Sequence, residues 1–256
     1  MGDRPGIWSN GSVHVCKIKT AVPLAVVMLC GGSASAQHND WLIVPGKRLG
    51  PIRPDTTRAD LERLFGKSNV RDQLVDTGDV GPMPGTAVFP TMPSRRLAIF
   101  WSESGTGEVA FVQICYQRQV GPCRWHTEDG VTLGTDLRTL EKLNGRAFQI
   151  EPWDYDAAGN ISSWRGGKLA NVFETEGTTW DGTPSRLWLT VEPRKGTDAQ
   201  LRKLLNEVSR QRQASLSGPP ITLVSDDPAV GSLHPAVTRI TLVLPSKTHD
   251  SGVRAR

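Results

Sequence analysis

Apolar positions along this chain change their spacing several times. Over 57–66 and 136–145 they recur every three or four residues: Leu61, Leu64 and Phe65 in the first segment, Leu137, Leu140 and Leu143 in the second. That spacing puts one oily stripe on a helix. Thr57 and Asp136 stand where a side-chain oxygen can accept from the first free backbone N–H groups. Asp60, three residues after Thr57, completes a capping-box pattern. Gly66 and Gly145 stop the two helices, because glycine takes a left-handed conformation at least cost. A longer stripe, Leu201, Leu204, Leu205 and Val208, predicts a third helix beginning at Thr197, with Gln200 as its capping-box partner. Arg202, Lys203, Arg210 and Arg212 fall on its other faces with Glu207 and Gln211 among them, the pattern of a solvated surface.

Elsewhere the pattern is that of strands. Segments 97–101 (LAIFW) and 109–116 (VAFVQICY) flank the hairpin turn 102–107. Segments 153–155 and 161–164 flank a turn at 157–160, and Gly166-Gly167 makes another turn before 169–173, which reads as a strand. The run 187–191 (LWLTV) follows. Gly218-Pro219-Pro220 breaks the chain after the third helix, and 221–224 and 237–244 read as closing strands. The last of these alternates as an edge or half-buried strand does. Segment 72–90, rich in Gly and Pro, reads as a long loop around one weak strand, and 246–256 as a loose polar tail.

Laying 51–66 over 130–145 reveals a repeat at a constant offset of 79 positions. Ile52 meets Val131, Thr56 meets Thr135, Leu61 meets Leu140, Glu62 meets Glu141, Leu64 meets Leu143 and Gly66 meets Gly145. A shared cap, stripe and stop point to a duplicated unit. The expected fold is α+β: two tandem units of short helix plus antiparallel sheet, with a third helix and C-terminal closing strands. The units would span 37–128 and 129–245. A capped helix ending in Leu-x-Gly, followed by an antiparallel sheet with a Trp-Asp pair, resembles the tandem repeats of beta-lactamase inhibitor proteins. It also resembles the small lipoprotein of the outer-membrane assembly machine. The residues carrying this likeness are 56–61, 64–66 and 140–145. The stretch from Gly130 through Leu169 resembles a family of exported bacterial proteins without an assigned function. The resemblance implies the fold more strongly than any activity.

Composition adds a compartment. Residues 1–36 have the three parts of a signal peptide: Lys17 and Lys19, then the apolar run 21–29, then Ala34-Ser35-Ala36 before Gln37. The apolar run is too short to span a bilayer, which takes roughly 20 residues. Leu29 before Cys30 argues against a lipoprotein, and the long leading segment suggests translation starting near Val13 or Val15. The mature chain is therefore expected in the periplasm or outside the cell, with no transmembrane segment. Hydrophobic residues make up 38% and charged residues 22%, which suits a folded globular chain rather than a disordered one. Half of the formal net charge of +4 sits in the leader, so charge offers no case for nucleic acid.

Cleavage would leave two cysteines, Cys115 and Cys123, a pair suited to a disulfide in an oxidising compartment. A zinc site using both and His126 is the alternative, though it lacks a fourth ligand. No cofactor is expected. Trp153, Asp154, Tyr155 and Trp164 are the candidate binding residues, since Trp and Tyr on a rigid surface carry interface energy. The favoured alternative for Trp153 and Trp164 is that they face each other across the hairpin and pack on the helix at 136–144. Asp154, Asp156 and Asn160 hint at a calcium loop, but Ala158 and Arg165 occupy positions that would need ligands. No nucleophile elbow, P-loop, dinucleotide glycine pattern or His-Glu-x-x-His string is present. The sequence thus favours a non-enzymatic exported protein that binds another envelope or secreted protein through an aromatic sheet face. The alternative is a hydrolase or small-ligand binder using His126 with Glu128 and Asp129, which requires a pocket beside that histidine.

Overall fold

The first strand, β1 (Leu42–Val44), turns back into β2 (Arg48–Leu49), and α1 (Arg58–Phe65) follows. A meander comes next: β3 (Val70–Asp76), β4 (Pro82–Val88), β5 (Leu97–Trp101) and β6 (Val109–Ile114). Then come β7 (His126–Thr127), α2 (Leu137–Asn144), β8 (Gln149–Ile150), β9 (Ile161–Ser163), α3 (Ala170–Phe173) and β10 (Leu187–Glu192). The chain closes with α4 (Asp198–Ala214), β11 (Leu223–Val224), α5 (Pro228–Gly231) and β12 (Ala236–Val243). This computed structural model describes residues 40–76, 81–102, 107–116, 122–154, 158–173, 187–214 and 221–244. Residues 1–36, expected to be a leader, Tyr155, Asp156, Ala157 and residues 246–256 lie outside the described residues.

The class is α+β. One antiparallel sheet of six strands runs β10-β12-β6-β5-β4-β3, and two small three-stranded sheets, β2-β1-β7 and β11-β8-β9, flank it. Pairing register explains where the core lies. Val70, Val88, Leu97, Ile114, Ile240 and Leu189 form one row across all six strands. All six are buried, and Leu61 of α1, Leu140 of α2, Phe173 of α3, Leu204 of α4 and Val230 of α5 join them in one apolar cluster. A helix stripe and a sheet face are each half a core, and here they bury each other. The opposite face carries a smaller cluster of Val75, Ala98, Phe100 and Tyr116.

Helices α1 and α2 share several local hydrogen bonds at an offset of 79 positions. Arg53 N donates to Thr56 Oγ1 at 2.8 Å, and Thr132 N to Thr135 Oγ1 at 3.0 Å. Asp60 N donates to Thr57 Oγ1 at 3.2 Å, and Thr139 N to Asp136 Oδ1 at 3.0 Å. Gly66 N reaches Glu62 O at 2.9 Å, and Gly145 N reaches Glu141 O at 2.8 Å. The last two patterns satisfy amides and carbonyls that a helix end otherwise leaves bare. Beyond the helices the paths part. α1 leads into the four-strand meander, whereas α2 leads into β8, which pairs with β9 and β11.

Several expected elements take another form. The loop expected over 72–90 is a hairpin, with β3 and β4 paired over seven positions from Val70↔Val88 to Asp76↔Pro82. Pro82 and Pro84 lie where β4 pairs with β3 alone, and there every second residue needs no ladder bond. The strand expected at 169–173 contains the short helix α3. Leu169, Ala170 and Phe173 are buried while Asn171 is exposed, a three-to-four periodicity; a strand would have put Asn171 on the face of Leu169 and Phe173. Trp153 and Asp154 sit in a turn rather than a strand. β12 is central, between β10 and β6, and buries Ile240, Thr241 and Leu242 in succession, so its two faces are both covered.

Candidate functional site

Of the predicted binding residues Tyr155 lies outside the described residues, and Trp153, Asp154 and Trp164 differ in burial. Trp164 is 3% exposed, packed between Phe148 and Phe173 with ring centroids 5.0 Å away in each case. Its indole is core, closed to a partner. Trp153 is half-buried, and its Nε1 donates to Val191 O on β10 at 2.8 Å. Asp154 is held by both terminal guanidinium nitrogens of Arg212 on α4. The turn at Trp153 therefore ties strand β10 and helix α4 together. Trp153 does wall a groove of about 450 Å³ with Leu201, whose rim mixes Glu192, Asp198, Arg194 and Lys195. Those opposed charges define no single ligand chemistry.

Cys115 and Cys123 lie at bonding distance, with Cα atoms 6.0 Å apart. No cluster of three metal-ligating side chains occurs among the described residues. His126 is exposed on β7 with its Nδ1 2.9 Å from Arg124 O. His126 is not among the residues lining either groove described here.

A second groove, of about 380 Å³, opens where the core row of β3 to β5 turns polar. Trp101 Nε1 donates to Thr86 Oγ1 at 2.9 Å, and Thr86 Oγ1 donates to Asp72 Oδ1 at 2.6 Å. Arg58 Nε donates to the same oxygen at 2.9 Å. The Thr86 hydroxyl, then Arg58, hold the Asp72 carboxyl below its ordinary value. Arg58 also pairs with Glu62, and these bonds brace α1 against the sheet.

A third surface was not singled out by sequence. Strand β1 lies parallel to β7, with Leu42 opposite His126 and Ile43 opposite Thr127. That pairing sets Trp41 edge-on against Trp125, centroids 4.8 Å apart and planes at 79°. Trp125 is fully buried, with its Nε1 donating to Arg95 O at 3.0 Å, while Trp41 is only half-buried. Phe89 stands 6.4 Å from Trp41 and 5.3 Å from Phe65. Two guanidinium groups lie over the Trp41 ring, Arg95 at 5.4 Å and Arg124 at 5.8 Å from its centroid. Backbone bonds fix these loops, since Arg124 N donates to Ser94 O at 2.8 Å and His126 N to Trp41 O at 3.1 Å. Met92, 37% exposed, lies beside Arg95, whose Nη1 approaches its sulfur at 3.9 Å.

The neighbouring charges are already matched. Arg48 pairs with Asp40, and its Nη1 also reaches Gly50 O at 2.9 Å. Burial pushes the Asp40 carboxyl up. The Arg48 bond, the Leu42 amide and the nearby charges outweigh it and hold the group below its ordinary value. Arg95 and Arg124 meet no carboxylate among the described residues. Nothing local in the sequence marks this surface, because Trp41 and Trp125 meet only through the β1–β7 pairing. No helix among the described residues is long and apolar enough to cross a membrane. No protein-family model, no curated protein and no solved structure matches the chain.

Proposed function

We propose that this chain is an exported, non-enzymatic protein that binds another envelope or secreted protein, and that its contact surface centres on Trp41. The observation carrying the proposal is a half-buried tryptophan braced by the buried Trp125 and overlaid by two guanidinium groups. Trp, Met and Arg are the residues enriched at interface centres, and Trp and Arg dominate hot spots. Rigidity matters as much as composition, since a side chain already ordered loses little entropy on binding. Export is supported by the leader pattern in 1–36 and by a cysteine pair at bonding distance, the usage of an oxidising compartment. The hydrogen bonds shared around α1 and α2 favour a duplicated unit.

Site-directed photo-crosslinking in the source cells tests this. A benzoylphenylalanine replacing Met92 is expected to give a discrete protein adduct, and the same probe replacing Arg194 beside the α4 groove is not. Equal adducts from both positions, or none from Met92, would refute the surface.

A further inference from the structure

We infer that the Trp41 surface takes an acidic segment of its partner: a carboxylate seats between Arg95 and Arg124, and an adjoining apolar side chain rests on Trp41 and Met92. This deepens the proposed function and rests on it. The first argument is charge. Two guanidinium groups lie within 6 Å of the Trp41 ring centroid and meet no carboxylate among the described residues, while nearby Arg48 is neutralised by Asp40. An anion that reaches both cations is attracted by each of them. The second is pre-organisation. The Arg124 amide is bonded to Ser94 O, the Trp125 indole to Arg95 O, and the neighbouring Cys123 to Cys115. The loops are thus placed before any ligand arrives.

The third argument selects the ligand class. A guanidinium presents a planar fork that matches a carboxylate with two parallel hydrogen bonds. A membrane surface is disfavoured, because headgroup binding by charge calls for a cluster of roughly 4–8 basic residues. Two arginines lie over Trp41 among the described residues, and the exposed Met92 lies beside Arg95. A short acidic and apolar peptide fits both the count and the chemistry.

The test uses the full oxidised protein and a displayed library of random capped dodecapeptides. Wild type is expected to enrich sequences with Asp or Glu next to a large apolar residue, and the Arg95→Gln/Arg124→Gln variant is expected to lose that enrichment. A peptide synthesised from the winners should bind about tenfold more weakly for each Arg→Gln change. Arg→Lys, which keeps the charge without the fork, should lie between. Matching thermal melts establish that each variant is folded. Enrichment without acidic residues, or acidic enrichment indifferent to both arginines, overturns the acidic-segment inference and leaves a binding surface at Trp41. A wild-type pool no different from that of Trp41→Ala overturns the binding surface itself.

Discussion

Gly50 is the position where a single methyl group should reach the Trp41 surface from within. Its φ is +51°, a left-handed conformation, and a Cβ there would lie 2.4 Å from Asp40 O and 3.1 Å from the Trp125 ring. Its own amide donates to Leu42 O at 2.9 Å, so the backbone cannot swing away without breaking the β1–β2 turn. Ala in the left-handed region costs about 1–2 kcal/mol. Over-packing against backbone and a buried ring adds about 1–3 kcal/mol. The Gly50→Ala protein should therefore lose about 3 kcal/mol, which for a chain of this size lowers Tm by about 10 °C. Circular dichroism melts and urea titration measure both. Gly50→Asn separates the causes, because Asn tolerates the left-handed region but still carries a Cβ. If Asn matches Ala, the contact with Asp40 and Trp125 dominates; if Asn recovers most of the loss, the backbone angle does. A Gly50→Ala protein within about 0.5 kcal/mol of wild type, the scatter of ordinary surface changes, would refute the close packing of the loop behind Trp41.

Asn144→Ala should be as damaging at the far end of α2: this side chain is 1% exposed, its Nδ2 donates to Arg146 O and Trp164 O, and its Oδ1 accepts from Leu169 N. Leaving those three backbone groups bare should cost about 3 kcal/mol in urea titration, and a cost under about 1 kcal/mol would show that they find other partners. Reducing the Cys115–Cys123 pair, eight positions apart, should lower stability by about 2.5 kcal/mol from loop-closure entropy, read as a drop in Tm with reductant that Cys115→Ser/Cys123→Ser abolishes. Acid should weaken the fold through Asp40, Asp72 and Asp136, whose folded values all lie below the ordinary carboxylate value. Their contribution is full above an unfolded value of about 3.9 and fades as pH falls through the depressed folded values. Asp72→Asn should flatten the loss of urea midpoint between about pH 5 and pH 2; an unchanged slope would discard Asp72 as a contributor.

What the sequence determined by itself is local. The caps at Thr57 and Asp136, the stops at Gly66 and Gly145, the stripes of α1, α2 and α4, and the strands β5 and β10 depend on residues within a turn or two of each other. Their hydrogen bonds and periodicity are written in short windows. The Cys115–Cys123 pair belongs to the same class, being near neighbours along the chain. Only the tertiary structure decided the rest. The Gly- and Pro-rich 72–90 became a strand pair because Val70 and Val88 complete a row running to β10 across six strands. Trp164, as plausible on a surface as Trp153, went into the core because Phe148 and Phe173 converge on it from either side in sequence. Trp41 gained its setting when β1 paired with β7, which brought Trp125, Arg95 and Arg124 to it from distant loops. A surface assembled from three separated segments leaves no periodic trace in any of them, so its chemistry exists only after the chain has closed.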